Sequence, residues 1–529
     1  MCKYRKFDRE AGMLHLETSA KLVRRRSGVS VERRFSLEIE GFGFLPKAAT
    51  LLLQRSHLMN YIMNKLSIGK LAAGVFVAAA AALNCCALNP IVQTIYTADP
   101  APVVHDGVCY LYADHDEDVL VNNFFTMKDW RCYSSTDMVN WTDHGAVASL
   151  RNFKWADPKI SGWGGFDNGA WALQCIERDG KWYMYCPLQG RGIGVLVADN
   201  PFGPFTDLIG KPLIGGKYDS IDPTVFIDDD GQAYLCWGNP RCWYVKLNKD
   251  MTSYDTSIGD HGLVVQDMTV EAFGKRSKTD AQRPTTYEEG PWLYKRNGLY
   301  YLFFAAGPIS EHLGYSTGPS PKGPWKYGGV VIPTQGGSFT DHPGVVDYKG
   351  KTYLFYHNAA LPGGGGFHRS VCVDEMKFNP DGSIVQMNMT KEGVAPVATL
   401  IPYQRVEAET IAWETGVKTA KSADVGVYVT GIHDGSYIEV CNVDFNDKGA
   451  AKFTASVAGA ADGGSMELRL DSVSGALIGI LKVKPTGDPD KWESQSCDVT
   501  GASGVHNLFL KFTGGAGTQL NFDWWKFNQ

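Results

Sequence analysis

The chain has 529 residues, which is too long for one ordinary domain and predicts two or three folded units. Glycine is abundant, with 59 residues, aromatic residues make up 12% of the chain and charged residues only 20%. This mixture is typical of many short strands joined by tight turns, and it argues against a helical bundle or a disordered chain. No apolar run in the body of the chain is long enough for a membrane span, so we expect a protein that is not membrane-spanning.

The beginning of the chain differs from the rest and has the pattern of a leader. Two lysines precede a short apolar stretch, 71–83, that ends in small residues, and this order predicts a secretory signal peptide over 59–87. Residues 1–58 are rich in arginine and show no strand or helix period. We interpret 1–58 as a spurious upstream extension, with translation starting at Met59 or Met63.

Charge and cysteine content narrow the partners and the compartment. Residues 1–84 hold 14 Lys and Arg against 6 Asp and Glu, which leaves the remainder of the chain at −14 and argues against nucleic acid as a partner. Nine cysteines follow position 87, several of them inside strand-like runs, and their spacing matches no zinc site, so we expect free buried thiols. The signal predicts a secreted or periplasmic protein, and Cys85 leaves lipid anchoring to the outer membrane open as an alternative.

One short pattern recurs five times along the middle of the chain. Each copy is a turn that ends in glycine, followed by aromatic and apolar residues at strand spacing: "HDGVCYLYAD", "RDGKWYMYCP", "DDGQAYLCWG", "RNGLYYLFFA" and "YKGKTYLFYH". Glycine at such a position accepts a positive φ, so each copy predicts a β-hairpin. Five equivalent hairpins favour an all-β fold with a five-bladed β-propeller over 88–400, whereas the competing β-sandwich does not predict the repetition.

Polar residues lie at nearly equal distances before these glycines. Asp99, Asp222, Glu289 and His342 stand eight or nine residues ahead of their glycines, and the second copy has Trp171 there. The innermost strands of a propeller line its axis, so we expect three carboxyl groups and a histidine to meet at one place. A single Asp-Pro is as readily a turn residue, but clustered like charges are costly unless one is protonated or a cation is near.

Clustered carboxyl groups among aromatic residues favour sugar chemistry, in which one acid protonates the leaving oxygen and another activates water or attacks. Four ordered motifs resemble those of the family 43 glycoside hydrolases: "YTADPAPVV", "SIDPTVFIDDDG", "EEGPWLYKRNGLYYLFF" and "FTDHPGVVDYKGKTYLFYH". The resemblance covers roughly 88–400. It implies a five-bladed propeller and hydrolysis with inversion of the anomeric configuration.

The resemblance also implies roles for individual residues. Asp99 would be the general base and Glu289 the general acid, while Asp222 would raise the pKa of Glu289 and hold its orientation. The neighbouring Glu288 would point away from the axis because side chains alternate along a strand. His342 resembles an axial histidine near a calcium ion or a water cluster.

Three further residues are candidates for contact with the sugar. Arg369 resembles an arginine near the bound sugar, with a surface salt bridge as the alternative. Trp163 and Trp171 are expected to wall the pocket, with core packing as the alternative.

The composition changes after "PVATLIPYQ", and residues 404–529 resemble the family 6 carbohydrate-binding modules, which are β-sandwiches of the jelly-roll type. Glu407 and Glu409 match that family's structural calcium ligands, with Asp523 joining from the last strand. Hard oxygen ligands of this kind suit calcium. We therefore expect a structural calcium in this module, with a second near His342 in the propeller left open.

The resemblance places a sugar site in the same module. Tyr428 and Trp492 would be two rings that sandwich a pyranose, and the amide of Asn521 would hydrogen-bond its hydroxyls. A strand tyrosine and a core or interface tryptophan are the alternatives for the two rings.

These features favour an enzyme that removes α-L-arabinofuranosyl units from arabinoxylan-type polysaccharide of the plant cell wall. An exo-acting β-xylosidase is the alternative, because the two sugars present nearly the same shape to the pocket. The appended module favours a polymeric substrate and therefore debranching. A non-catalytic carbohydrate-binding protein is the hypothesis from another class, and it gives no reason for three intact carboxyl groups.

Overall fold

The structure, a computed structural model, describes residues 20–25, 28–33, 89–156, 168–216, 219–279, 281–459, 463–514 and 520–529. The chain divides into two compact units, Met1–Leu83 and Asn84–Gln529. In the first unit, β1 (Ala20–Arg25) pairs antiparallel with β2 (Gly28–Arg33). The expectation that 1–58 has no regular element is therefore wrong for this hairpin, whose valines favour strands. The predicted signal peptide, 59–87, lies outside the described residues.

Five antiparallel sheets follow in the second unit, each built from strands in chain order. The first contains β3 (Tyr96–His105), β4 (Val108–Asp116), β5 (Asp129–Ser135) and β6 (Trp141–Ser149). The second contains β7 (Gln174–Arg178), β8 (Lys181–Leu188), β9 (Gly192–Ala198) and β10 (Ile214–Gly215). The third contains β11 (Thr224–Ile227), β12 (Ala233–Trp237), β13 (Trp243–Leu247) and β14 (Val264–Val265), and a short helix, α1 (Val270–Phe273), follows it.

The fourth sheet contains β15 (Tyr287–Arg296), β16 (Leu299–Ala306), β17 (His312–Gly318) and β18 (Lys326–Ile332). The fifth contains β19 (Gly344–Tyr348), β20 (Lys351–Asn358) and β21 (Ser370–Met376). The first strand of each sheet contacts the first strand of the next, and β19 contacts β3, which closes a ring. This is the arrangement of a β-propeller.

The hairpins that join the first two strands of each sheet fall at the five repeated glycines. All five have a positive φ: Gly107, Gly180, Gly231, Gly298 and Gly350. In four of these turns the preceding residue is also left-handed: Asp106, Asp179, Asn297 and Lys349. Two consecutive positive φ values define the type I′ turn, whose twist matches that of the flanking strands. The hairpins predicted from the sequence are confirmed.

A β-sandwich forms the C-terminal part of the second unit. One sheet has the order β25 (Lys418–Ser422), β26 (Gly426–Ile432), β33 (Leu520–Asn528), β28 (Ala450–Gly459) and β31 (Glu493–Ala502), with β22 (Val406–Glu407) also pairing β33. The other has the order β24 (Trp413–Thr415), β27 (Tyr437–Asp444), β32 (Val505–Thr513), β29 (Gly464–Leu470) and β30 (Ala476–Val483). Buried aliphatic and aromatic side chains from both sheets form one core between them.

The sandwich and the ring share a sheet and part of a core. Strand β23 (Thr410–Ile411) pairs with β6 and extends the first sheet of the ring. Asn140 donates to the carbonyl oxygen of Cys441 at 2.9 Å and accepts from its backbone N–H at 2.8 Å. One hydrophobic cluster contains Trp141 of the ring together with Ala412 and Cys441 of the sandwich. The two folds are therefore joined by backbone pairing and apolar contact as well as by the chain.

Among the described residues, none of the nine cysteines forms a disulfide, and eight of them are buried. The expectation of free buried thiols is confirmed. Within the described part of the chain, no helix has the length and apolar character needed to cross a membrane.

Candidate active site

Carboxyl groups carried by three sheets of the ring meet in one cavity. Its free volume is about 60 Å³, so it is a small pocket. Its walls are Asp99, Phe125, Met127, Trp171, Ala172, Ile221, Asp222, Glu289, Thr340, His342 and Arg369. The structure thus brings together the residues that the sequence predicts to share the axis.

Asp99 lies at an irregularity in β3. Ala98 pairs with Asp114 and Ala101 pairs with Tyr112, so the pairing with β4 breaks around Asp99. Asp99 has a φ of 51°, a left-handed conformation that aspartate tolerates better than most residues. A bulge of this kind redirects a side chain, and here the carboxylate lines the cavity.

Arg369 links this carboxylate to a second one. Its Nη1 donates to both oxygens of Asp99, at 2.9 and 3.1 Å, and its Nε and Nη2 donate to the two oxygens of Asp116, each at 2.9 Å. The guanidinium is 3% exposed and lies over the ring of Phe125 at 4.8 Å. The alternative of a surface salt bridge for Arg369 is therefore wrong, because the residue is buried beside the cavity.

Two histidines complete the surroundings of Asp99. The backbone N–H of Asp99 donates to Nδ1 of His357 at 3.3 Å, and the ring's Nε2 lies 2.9 Å from the carbonyl oxygen of Thr340. These contacts fit a neutral ring with its proton on Nε2, and burial lowers the pKa of His357 to about 3. His342 places Nδ1 4.0 Å from Asp99 Oδ1, and burial lowers its pKa too.

Asp222 is connected to Glu289 through the backbone. Its Oδ2 accepts a hydrogen bond from the N–H of Gly290 at 3.0 Å, so it fixes the chain next to Glu289. Asp222 also has a left-handed backbone, with a φ of 55°. Glu289 itself lies where the pairing of β15 with β16 is irregular on both sides. Its Oε2 accepts a hydrogen bond from the amide of Asn239 at 2.5 Å.

Glu288 and Glu289 face different surroundings, as strand alternation predicts. Glu289 lines the cavity, whereas Glu288 does not. The Glu288 carboxylate is 2% exposed and accepts from Arg276 at 2.6 Å and from Arg283 at 2.5 Å. Arg283 also donates to Asn239 at 2.9 Å and so helps to orient the amide that holds Glu289. The geometry assigns the cavity position to Glu289.

The pKa values of the carboxyl groups in the site are shifted in opposite directions. Burial alone would raise the pKa of Asp99, but Arg369 and then the two histidines hold it well below its usual value. Burial raises the pKa of Glu289 to about 7; the amide of Asn239 opposes this, and the charge of Asp99 adds to it. Burial and the charge of Glu289 raise the pKa of Asp222 well above its usual value. Near neutrality, Asp99 is therefore charged, Asp222 keeps its proton and Glu289 is close to half protonated.

Several residues of this site were missed in the sequence. Asp114 and Asp116 alternate on β4 in "YADHDED", and both are fully buried next to Arg369. His357 is the next-to-last residue of β20 in "LFYHN", where it follows an apolar run like a core residue. Asp114 and Asp116 could have been found from the alternation of acids on a strand that is otherwise apolar. Nothing in the sequence indicates the contact between His357 and Asp99.

Glu311 and Asp341 form a second buried acidic pair behind the cavity. Glu311 Oε2 accepts from the N–H of Asp341 at 2.8 Å, and Asp341 Oδ1 accepts from the N–H of His342 at 2.9 Å. Burial raises the pKa of Asp341 to about 8 and that of Glu311 well above its usual value. These two acids hold the segment that presents Thr340 and His342 to the cavity.

The two tryptophans expected at the pocket have different outcomes. Trp171 lines the cavity, and it also belongs to the main apolar cluster of the ring, so both alternatives for it hold. Trp163 lies outside the described residues.

The three expected sugar-binding residues of the sandwich are neighbours. The rings of Tyr428 and Trp492 lie 5.2 Å apart at 70°, edge to face. The Asn521 amide accepts from Thr430 at 2.7 Å and donates to the carbonyl oxygen of Pro489 at 3.1 Å. The expectation of two rings that sandwich a pyranose does not match this arrangement, because edge-to-face contact leaves no space between them.

The expected calcium ligands surround an arginine. Arg405 donates to Glu407 at 2.7 Å and to Asp523 at 3.3 Å. Glu409 is buried, its Oε2 has no hydrogen-bond partner among the described residues, and burial followed by the charge of Glu407 raises its pKa to about 9. A buried carboxylate oxygen without a hydrogen-bond partner fits a hard cation, so the donor set of Glu407, Glu409 and Asp523 suits calcium.

The distances between possible metal-ligand atoms favour a different group of residues. In the described ranges, the ligand atoms of His115, Glu117 and Asp129 lie within 4.8 Å of one another, and neither His342 nor Glu409 belongs to such a group. Lys128 already donates to Glu117 at 3.0 Å. This group is therefore an acidic cluster that already has a cation.

The cavity thus combines a buried carboxylate held ionised, a buried acid that keeps its proton, and walls of aromatic and apolar side chains. A proton donor and a proton acceptor facing one small cavity can cleave a glycosidic bond with the help of water. These features define the site of a glycoside hydrolase.

Comparisons with known proteins agree with this class. Residues 87–384 match the model of the "Glycosyl hydrolases family 43", and residues 407–529 match "Carbohydrate binding module (family 6)". The chain belongs to glycosyl hydrolase family 43, as its motifs indicate, and carries a family 6 module.

Three relatives are informative. The arabinoxylan arabinofuranohydrolase of Bacillus subtilis strain 168 is 35% identical over 83% of this chain and 92% of that protein. A xylosidase/arabinosidase of Bacteroides ovatus is 34% identical over 55% of this chain and 94% of that protein. Among solved structures, a family 43 arabinoxylan arabinofuranohydrolase from Bacillus subtilis in complex with cellotetraose has a TM-score of 0.70, at 33% identity over 83% of this chain and 97% of that chain.

Proposed function

We propose that the protein releases α-L-arabinofuranosyl units from arabinoxylan-type polysaccharide. The observation that carries the proposal is the facing pair in one cavity: Asp99, which is held ionised by Arg369, and Glu289, which keeps a proton up to about pH 7. Two relatives that cover 83% of the chain are arabinoxylan arabinofuranohydrolases. A carbohydrate-binding module beside the catalytic cavity suits a polymeric substrate better than a short one.

In this mechanism Glu289 donates its proton to the departing glycosidic oxygen as the bond to the anomeric carbon breaks. Asp99 accepts a proton from a water molecule, which attacks the opposite face of the sugar, so the product has inverted configuration. Asp222 holds Glu289 in place through Gly290, and the two carboxyl groups titrate as an interacting pair, in which the charge of Glu289 raises the pKa of Asp222. His342, Arg369 and Trp171 line the cavity and contact the sugar.

A β-xylosidase is the second candidate. It is favoured by the likeness of the catalytic part to a xylosidase/arabinosidase, in which the match stops short of the module. A non-catalytic binding protein remains the contrast from another class, and it has no use for a buried arginine that keeps one carboxylate charged.

The proposal extends to the organisation of the chain. The five sheets are five blades around one axis over 88–400, and 404–529 is the carbohydrate-binding unit. Residues 59–87 direct secretion or export to the periplasm, and 1–58 are dispensable. Calcium, where bound, is held by Glu407, Glu409 and Asp523, with Arg405 displaced from the carboxylates. A protein that lacks 1–87 and no longer folds would overturn the assignment of the leader.

The deciding experiment compares two aryl glycosides that share one leaving group. We expect a higher kcat/KM on the aryl α-L-arabinofuranoside than on the aryl β-D-xyloside, and release of arabinose from arabinoxylan. The reverse preference would establish the xylosidase. Activity on neither, in a folded protein, would favour the binding protein.

A further inference from the structure

A second cleft lies between the propeller and the sandwich. Its free volume is about 480 Å³, and both folds contribute to its walls. The propeller side includes Tyr96, Leu361 and Pro362, and the module side includes Trp413 and Lys418. None of these residues lines the catalytic cavity.

We propose that this cleft binds a stretch of the neutral polysaccharide main chain whose side branch enters the catalytic cavity. The inference rests on the proposed function and specifies where the polymer lies. Its basis is the juxtaposition of Trp413 on the module with Tyr96 on the propeller, next to the segments that carry Asp99 and Arg369.

The propeller wall of the cleft is continuous with the active-site residues. Tyr96 begins β3 and precedes Asp99 by three positions. Its ring stacks on that of His368 at 4.7 Å, and His368 directly precedes Arg369. The Tyr96 hydroxyl donates to the carbonyl oxygen of Pro362 at 2.6 Å, which ties the loop that contains Pro362 to β3 of the propeller. A chain lying along this wall therefore passes close to the catalytic cavity.

The module wall is held rigidly against the propeller. Lys418 donates to the carbonyl oxygen of Thr94 at 2.6 Å, and the hydroxyls of Thr142 and Thr410 lie 2.8 Å apart. The pairing of β23 with β6 adds backbone hydrogen bonds across the same junction. A site formed by two rigidly joined folds keeps its shape without a ligand, so little ordering of the protein opposes binding.

The chemistry of the cleft fits an uncharged sugar chain. Trp413 is partly exposed and presents an aromatic surface of the kind that stacks on sugar rings. The acidic side chains at the cleft, Asp118 and Glu414, are offset in part by Lys418, and burial raises the pKa of Glu414. Exposed polar groups such as His433 and Thr415 are available to hydroxyls. The cleft therefore lacks a strong net charge that would attract a strongly charged ligand.

The test separates the cleft from the sandwich's own candidate sugar site. Titrate xylohexaose by calorimetry into the wild type, Trp413→Ala, Trp492→Ala and the double variant. We expect Trp492→Ala to retain one binding event for xylohexaose and the double variant to lose it. Trp413→Phe, which keeps an aromatic ring, should retain this binding event. Should the double variant bind xylohexaose as Trp492→Ala does, the cleft is not a site for this chain. Replacing xylohexaose by cellohexaose distinguishes xylan from a β-linked glucan as the occupant.

Steady-state kinetics of a different variant give an independent measurement that does not require Trp413→Ala to fold. Thr415→Arg removes no core contact and fills the cleft with a charged side chain. We expect it to raise KM on arabinoxylan roughly tenfold, equivalent to about 1.4 kcal/mol of binding free energy, while kcat/KM on the aryl arabinofuranoside changes less than twofold. Wild-type kinetics of Thr415→Arg on the polymer would overturn the cleft. Inactivity of the wild type on both substrates would instead overturn the proposed function.

Discussion

Arg369 holds Asp99 through one guanidinium nitrogen while its other two nitrogens bind Asp116. The hydrogen bonds to Asp116 therefore fix the guanidinium, and its positive charge lies beside the buried carboxylate of Asp99. Such a bridge holds the pKa of Asp99 well below its usual value, against the effect of burial. It also holds the carboxylate in one orientation.

Arg369→Lys tests the effect of this bridge on the charge of Asp99. Lysine keeps the charge but cannot bind two carboxylates in a fork, so the pKa of Asp99 should rise and an acidic limb should enter the pH–rate profile. We expect kcat/KM on the aryl arabinofuranoside to fall about 10²-fold or more, in the range of general base catalysis. Arg296→Lys, which removes an arginine that packs on Phe378, is the matched control. An unchanged acidic side in Arg369→Lys would show that the arginine does not set the charge of Asp99.

The basic side of the same profile should report Glu289. The acid must be protonated to act, so the rate should fall as pH rises through about 7. The protons of Asp222 and Glu289 belong to an interacting pair, so Asp222→Asn should move this limb downward, although burial persists and keeps the pKa of Glu289 above the ordinary glutamate value. The measurement is kcat/KM against pH for the wild type and the variant. A limb that does not move would mean that the charge of Asp222 has no part in the pKa of Glu289.

The propeller should depend on the sandwich for stability. Deleting 404–529 strips β23 from the edge of β6 and exposes Trp141, which packs in a cluster shared with Ala412 and Cys441. An unpaired edge strand above an exposed apolar surface favours aggregation. We expect a melting temperature several degrees lower, with loss of soluble protein, and a single melting transition for the intact unit 84–529. Equal melting temperatures would show the two parts to be independent.

Calcium should act on the sandwich through Glu409. The folded-state pKa of Glu409 is about 9 against an ordinary 4.5, so its contribution to stability is present below 4.5 and is lost as pH rises through 9. A cation that binds the ionised group offsets this loss by mass action. Calcium should therefore raise the melting temperature more at pH 8 than at pH 5, and Glu409→Gln should remove the difference. The same calcium effect in Glu409→Gln would place the ion elsewhere.

The sequence carries the parts of the fold that depend on local chemistry. Gly107 and its four counterparts predict the hairpins because only certain residues tolerate their turn geometry. The equal offsets of Asp99, Asp222 and Glu289 predict their meeting because each first strand lies on the ring. Contacts between distant segments leave no such signal. The bridge from Arg369 to Asp116 spans more than two hundred residues, and although alternating acids mark Asp116, nothing in the sequence pairs it with Arg369.

The strongest test of the site concerns the identity of the general acid. A general acid matters most when the leaving group is poor, so Glu289→Ala should lose release of arabinose from the polymer by about 10²- to 10⁴-fold. The same variant should lose much less on an aryl glycoside with an acidic phenol, which departs without a proton. Asp99→Ala should be severe on both substrates, because each needs an activated water.

Glu288→Gln is the matched control, since Glu288 binds Arg276 and Arg283 behind the cavity instead of lining it. Losing part of a buried ion pair should lower its melting temperature, at a cost of about 3–5 kcal/mol at most, without any dependence of the rate on the leaving group. The measurement is kcat/KM on both substrates for each variant at a temperature where all are folded. If Glu288→Gln shows the selective loss on the polymer and Glu289→Ala loses equally on both, the acid is Glu288, and the contacts with Arg276 and Arg283 must open during catalysis.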